Sequence, residues 1–128
     1  MASELRVNTL KDASGNNSIA TSFLAGGSAK AWTNINMSTP TTNDSFNQSS
    51  INDLATGRFT SSFTTSLVNS DYAVTASGMD PTEASTGGNR TADGTPVSAS
   101  QMYIRASAYD NTANDVPGCG LVANGDLA

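Results

Sequence analysis

The fold is decided by residues 45–64, which read SFNQSSINDLATGRFTSSFT. Two stretches rich in Ser, Thr and Phe flank a turn signal centred near residues 53–57. Gly57 can take the left-handed backbone conformation that such a turn needs. Short strands separated by this kind of turn predict a β-hairpin.

The strand-and-turn pattern continues on both sides of this hairpin. Pro40 and the polar run 41–44 are expected to end a strand that precedes it. No segment shows sustained apolar spacing of three and four, and Gly, Asn, Ser and Thr are poor helix formers. The chain is therefore predicted to be all-β, as a small antiparallel β-sandwich or a jelly-roll-like domain. Period-2 patterns predict further strands at 4–10 and 30–37, and residues suited to a pleated sheet predict one at 71–77. Strands are also expected at 101–109 and 120–123.

Two parts of the chain differ in character, and they predict a division at residue 27. Residues 1–27 are expected to form an extended N-terminal arm, with a turn at 12–17 and extended chain from Ser18 to Leu24. Residues 28–128 form the predicted β domain. The arm could add a strand to the sheet edge of a neighbour. Its candidate docking residues are Leu5, Val7 and Leu10.

The composition limits the chemistry that the chain can perform. Ser, Thr and Asn supply 47 of the 128 residues, and histidine is absent. Without imidazole there is no histidine base, metal ligand or partner for a nucleophile, so we expect no enzyme activity and no cofactor. Leu, Ile, Val and Phe supply only 21 residues, which predicts a thin core completed by self-association.

The charge and the first residues of the chain limit its partners. The formal net charge is −5, and six Lys and Arg residues are scattered along the chain, so nucleic-acid binding is not expected. The opening sequence MASE leads into no apolar region, which predicts no signal peptide. No apolar run approaches the length of a membrane span. A single cysteine allows no disulfide within the chain and fits synthesis in a reduced compartment.

Few residues are candidates for chemistry. Cys119 has no base beside it and is expected to be a small, semi-buried residue at a strand end. Residues 110–115 offer oxygen ligands but lack the spacing of a calcium loop, so an Asx-rich turn is expected. Aromatic side chains could stack on sugar rings, but in so thin a core we expect them to be buried. They are Trp32, Tyr72, Tyr103 and Tyr109.

Residues 78–98 contain several Gly and Pro residues and almost no large apolar residue. This composition predicts a long surface loop, and such loops often carry function. It is the candidate recognition loop of the domain. The charged and amide side chains expected to be exposed there are Asp80, Glu83, Asn89, Arg90 and Asp93.

Three segments resemble small virion proteins of tailed bacteriophages, many of them marine or cyanobacterial. Residues 4–17 (ELRVNTLKDASGNN) resemble their opening, and residues 45–63 are similar to a hairpin of a β domain in their tail-fibre-like proteins. Residues 71–76 (DYAVTA) match the strand that follows. The likeness covers most of 3–77 and, more loosely, 101–109. It implies a phage structural protein that forms a homotrimer and resides in the virion, after synthesis in the host cytoplasm.

The resemblance carries over no binding residue and leaves the position on the particle open. The favoured interpretation is a tail fibre or adhesin that contacts the host surface. An alternative is a capsid decoration or cement protein that stabilises the head. The expected partners are further copies of the chain, a tail protein or the major capsid protein, and a host surface glycan. A second alternative is a carbohydrate-binding module, or a small depolymerase domain.

Overall fold

A computed structural model describes residues 3–79, 90–108 and 110–128. The predicted all-β, antiparallel architecture is confirmed, with one short helix that was not expected. The elements are β1 (Thr9–Lys11), β2 (Ser18–Ala20), α1 (Thr21–Gly27), β3 (Ala31–Asn36), β4 (Thr41–Phe46), β5 (Gln48–Ala55), β6 (Arg58–Phe63), β7 (Ala73–Met79), β8 (Arg90–Ser98), β9 (Gln101–Ala108) and β10 (Gly118–Asn124).

Eight strands form two four-stranded sheets. Sheet I has the order β4-β3-β10-β7 and sheet II the order β5-β6-β9-β8, while β1 and β2 form a separate hairpin. Side chains alternate between buried and half-buried positions along β3 and along most of β9, as expected for strands with one face in a core. The buried faces of both sheets contribute to one core, so the sheets are packed as in a β-sandwich.

Among the described residues, the core contains medium-sized aliphatic side chains, the ring of Phe59 and one aromatic pair. Phe63 and Tyr72 meet edge to face, with ring centroids 5.7 Å apart. The Tyr72 hydroxyl donates a hydrogen bond of 2.6 Å to the Gln101 carbonyl, so its polar end is satisfied. The prediction that Tyr72 is a core residue is confirmed. The largest fully buried side chains are Phe59, Ile35, Met37, Leu67, Met102, Ile104, Leu121 and Val116.

Gly57 forms the turn between β5 and β6, as predicted, with a φ of 64°. The Gly57 carbonyl accepts a hydrogen bond from Ala106 N at 2.9 Å. Asp115 Oδ1 accepts one from Gly57 N at 2.6 Å. The turn is therefore packed against β9 and against the segment that leads to β10, where a side chain on Gly57 would have no room.

Asn47 is the only residue between β4 of sheet I and β5 of sheet II, and its φ is 56°. Its side-chain Nδ2 donates to the carbonyls of Lys30 and Thr65, each at 3.0 Å. Its Oδ1 accepts a hydrogen bond from Thr65 N at 2.7 Å. These bonds hold the corner where the chain passes from one sheet to the other.

Three assignments of strands and loops in the body of the chain are wrong. Residues 45–51, expected to form one strand of the hairpin, are divided at Asn47 between β4 of sheet I and β5 of sheet II. Residues 41–44 begin β4 instead of ending β3, because an edge strand with exposed side chains needs no apolar pattern. The predicted loop 78–98 is too long, since β7 extends to Met79 and residues 90–98 form β8. Pro96 is tolerated because β8 is an edge strand that pairs only with β9.

The first residues also differ from the prediction. The strand expected at 4–10 is reduced to β1, and the stretch expected to be extended from Ser18 to Leu24 is instead β2 followed by α1. The predicted turn at 12–17 is confirmed. Asp12 accepts hydrogen bonds from Ser14 Oγ, Asn16 N and Asn17 Nδ2. Bonding to the Ser14 hydroxyl, assisted by Asn17, lowers the pKa of Asp12 and keeps the turn charged.

Candidate functional site

The N-terminal segment, defined here as residues 3–29, contains no buried residue. Its hairpin is closed by Thr21, whose amide donates to the Asn8 carbonyl at 3.0 Å. Helix α1 follows directly and is only seven residues long, a length that is marginal for a helix without packing partners. The segment is thus folded locally and contributes nothing to the described core.

Six large apolar side chains of this segment are exposed. Leu10 and Ile19 lie opposite each other in the β1–β2 register and are 39% and 43% exposed, while Phe23 of α1 is 74% exposed. Several exposed apolar side chains on one short segment are typical of a surface that binds another molecule. The predicted docking residues Leu5, Val7 and Leu10 all belong to the exposed set, which Ile19, Phe23 and Leu24 complete.

Lys30 joins the N-terminal segment to the sandwich. Its backbone amide donates to the Ala123 carbonyl at 2.8 Å, so Lys30 extends the β3–β10 pairing. Its buried ammonium donates to the Ser28 carbonyl at 2.9 Å, to Ser28 Oγ at 2.7 Å and to the Ala25 carbonyl. A cation at the end of α1 also interacts favourably with the helix dipole.

An apolar groove lies beside this junction. It has a volume of about 620 Å³, and Phe46 and Leu127 are its large apolar side chains, 53% and 45% exposed. The same two residues also line a smaller adjoining groove of about 300 Å³ with Asn47, Thr64 and Thr65. We call this surface the Phe46–Leu127 groove. The other residues that line the larger part of this groove are Ala25, Ser28, Ala29, Lys30 and Asp126.

The structure describes two of the five residues predicted for the recognition loop. Asp80, Glu83 and Asn89 lie outside the described residues. Arg90 and Asp93 lie on β8, where Arg90 is half-buried opposite Ala108 and Asp93 is exposed opposite Arg105. For these two residues the loop assignment is corrected to an edge strand.

Sequence reasoning placed Trp32 in the core, and the structure places it on the outer face of sheet I. Ala31, Thr33 and Ile35 occupy the buried positions of β3, so Trp32 and Asn34 point outward and are half-buried. Tyr103 is likewise half-buried and lies outside the core cluster. Tyr109 lies outside the described residues.

Trp32 borders a shallow groove of about 320 Å³ on the outer face of sheet I, which we call the sheet I groove. Gly120 lies at its centre and offers no side chain. Its outward-facing border is formed by Trp32, Asn34, Thr75, Ser77 and Val122, and none of its lining residues is charged. The sequence signal for this site was the alternation of β3, since burying Trp32 would also bury Asn34 and Asn36.

The thiol and carboxyl groups that the sequence offered for chemistry lie in settings that suit a structural role. Cys119 is fully buried in β10, and burial raises the pKa of its thiol to about 11. Asp110 accepts a hydrogen bond from Thr112 N, which contributes to lowering the pKa of its carboxyl group. Across the described ranges no three His, Cys, Asp or Glu residues are grouped to hold a metal ion. Within those ranges no helix combines the length and apolar character needed to cross a bilayer.

The candidate functional surfaces of the described chain are therefore the N-terminal segment, the Phe46–Leu127 groove and the sheet I groove. All three are exposed surfaces suited to contact with other molecules. Comparisons of the chain with protein-family models, with curated proteins and with solved structures returned no match.

Proposed function

We propose that this chain is a structural module of a tailed-phage particle, a non-enzymatic fibre-like protein that assembles through its N-terminal segment and contacts the host surface. The single observation that carries the proposal is that six large apolar side chains are exposed on a segment with no buried residue. The resemblance of residues 4–17 and 45–63 to phage virion and tail-fibre-like proteins supplies the biological setting.

The assembly proposed is a homotrimer in which the N-terminal segment of one copy lies in the Phe46–Leu127 groove of the next. The segment presents Phe23 and Leu24, and the groove presents Phe46 and Leu127, so both surfaces are apolar. Burial of one large apolar side chain contributes about 1.5–3 kcal/mol, whereas association costs at least roughly 4 kcal/mol. Several side chains must therefore be buried together, so docking of the whole N-terminal segment is favoured over contact through a single side chain.

The strand directions separate the attachment from the opposite end of the sandwich. Ala31 pairs with Ala123 at the end where the N-terminal segment joins. Met79 pairs with Gly118 at the other end, and Arg90 lies beside Gly78 there. A particle-bound copy attached through its N-terminal segment would present this second end outward. This arrangement suits a tail fibre or adhesin in the virion.

A capsid decoration protein is the second candidate, because the same exposed segment could dock on the major capsid protein. The two positions on the particle are distinguished by labelling intact virions with an antibody and imaging them by electron microscopy. Label at the tail supports the fibre, label spread over the head supports decoration, and virions without label overturn the virion assignment.

Self-association is tested by sedimentation of the full chain over a range of concentrations. We expect a trimer, and we expect Phe23→Ser combined with Leu24→Ser to produce a folded monomer. The matched control combines Leu54→Ser with Val97→Ser, two side chains that are each 51% exposed on sheet II. A wild-type chain that stays monomeric, or a control that dissociates as readily as the test variant, would contradict the proposed assembly.

A further inference from the structure

The outer face of sheet I carries an apolar row beside a polar row. Opposite residues in an antiparallel sheet point to the same side. Phe46, Trp32, Val122 and Thr75 are opposite one another across β4, β3, β10 and β7. The next outward-facing row contains Asp44, Asn34, Gly120 and Ser77 in the same strand order.

Gly120 opens a trough between these rows. It lies between Asn34 and Ser77, and a Cβ atom built there would lie 3.2 Å from Ser77 Oγ. The floor of the groove is therefore backbone, with the Trp32 indole at one side. Its volume of about 320 Å³ is at the lower end of the range for ligand sites, roughly 300–1,000 Å³. A ligand of one or two small rings fits this space.

The chemistry of the lining indicates what such a ligand would be. The indole offers a flat apolar face, against which the C–H face of a sugar ring can pack. Asn34, Thr75 and Ser77 offer an amide and hydroxyl groups for sugar hydroxyls. Asn43 Nδ2 donates to Asn34 Oδ1 at 3.1 Å, so the Asn34 oxygen is engaged and its Nδ2 is the group left to donate to a ligand.

The lining of this groove is uncharged, and the one charged residue of the adjoining outward-facing row, Asp44, is acidic and lies opposite Asn34. These features select among sugars. None of the groove's lining residues is Lys, Arg, Asp or Glu, so a phosphate or carboxylate group would find no ionic partner there. A neutral ring loses less hydration free energy than a charged one on leaving water, and it can contact both the indole and the hydroxyl groups. We infer that the sheet I groove binds a neutral hexose unit of a glycan.

The sheet I groove would be the surface through which the protein contacts a host glycan, and to that extent the inference rests on the proposed function. It uses no residue of the N-terminal segment. A chain that fails to form trimers can therefore still bind the glycan, and a trimer that binds no glycan leaves the assembly proposal intact. The two proposals fail separately.

The test measures retention of the full chain on immobilised neutral hexose polymers, namely mannan, galactan and glucan, with acidic alginate as the charged comparison. We expect binding to at least one neutral polymer and weaker binding to alginate. Trp32→Ala should lower the affinity about tenfold or more, since it removes the stacking face. Gly120→Val should have a similar effect by filling the trough, and Ser77 can rotate to admit the new side chain.

Tyr103→Ala is the matched control, because Tyr103 is a half-buried aromatic residue outside the core, on sheet II. It should leave binding unchanged, and urea unfolding should show that all three variants are folded. Absence of binding to every neutral polymer would overturn the inference. So would preference for alginate, or equal weakening by Trp32→Ala and Tyr103→Ala. Loss of self-association in Trp32→Ala without any glycan binding would instead identify the face as an interface between copies.

Discussion

Gly57 should be the least replaceable glycine of the sandwich that the structure describes. Its φ of 64° is a conformation that residues with a Cβ atom rarely adopt. A Cβ atom placed there would lie 2.4 Å from the Ala106 carbonyl oxygen and 2.7 Å from Asn114 N. Both are backbone atoms, so side-chain rotation cannot relieve the contact.

The cost of Gly57→Ala has two parts. The left-handed conformation contributes about 1–2 kcal/mol. Moving the turn away from β9 lengthens the bonds from Ala106 N to the Gly57 carbonyl and from Gly57 N to Asp115, which are 2.9 Å and 2.6 Å long. Weakening them contributes roughly 1 kcal/mol or more each. The free energy of unfolding should therefore fall by about 3–5 kcal/mol.

Gly15→Ala is the matched control for this prediction. Gly15 has a φ of 71°, but no atom lies within 4 Å of a Cβ atom placed there. The cost of Gly15→Ala should be at most the conformational part, about 2 kcal/mol, and it falls on the local hairpin, because the N-terminal segment contributes nothing to the core. Urea unfolding followed by circular dichroism measures both variants. If Gly57→Ala costs no more than Gly15→Ala, the close approach to Ala106 and Asn114 does not limit the turn, and the reasoning is wrong.

Two further predictions concern buried groups. Ser61 Oγ is buried with no hydrogen-bond partner among the described residues, so Ser61→Ala should raise the free energy of unfolding by about 1 kcal/mol. Ser62→Ala, at a half-buried position of the same strand, should not raise it. Urea titrations in which Ser61→Ala is destabilising would contradict this prediction. Because burial raises the pKa of Cys119 from 9.0 to about 11, the unfolded chain loses this proton first. Stability should be independent of this thiol below pH 9 and should fall by up to roughly 3 kcal/mol between pH 9 and 11, a loss that Cys119→Ala should abolish. Equal pH profiles of the two proteins would refute the second prediction.

The hairpin of β5 and β6 was predictable because its signals are local, although residues 45 and 46 proved to belong to β4 of the other sheet. Gly57 marks the turn, and Phe59 and Phe63 mark the buried face of β6. Strand β4 gave no such signal, since its side chains are largely exposed and its conformation depends on pairing with β3. A strand that buries one face can be predicted from its sequence, whereas a strand that forms by pairing with a neighbouring strand cannot.

Helix α1 was missed for a related reason. It is too short to show an apolar period, and it contains Gly26 and Gly27, which disfavour helices. Contacts of Lys30 with the Ala25 carbonyl and with Ser28 hold its end. Lys30 is itself positioned by the bond of its backbone amide to Ala123, a residue distant in sequence.

The sheet I groove shows where pattern reasoning could have gone further. Treating Trp32 as a core residue considered its size alone. Its neighbours on the same face, Asn34 and Asn36, are polar, and one face of a strand is buried or exposed as a unit. The groove itself needed the register, because Gly120 is distant in sequence from Trp32 and Ser77.

The placement of Ala31 opposite Ala123 has a mechanical consequence. A force that pulls Lys30 away from the end of β10 would open the β3–β10 pair from that end, so that the hydrogen bonds break one after another. A force applied between Lys30 and the opposite end, at Met79, acts along the strands instead. It then loads the β3–β10 and β10–β7 bonds together, in shear. Sheet I should therefore resist tension between Lys30 and Met79 better than it resists peeling of β3 from β10.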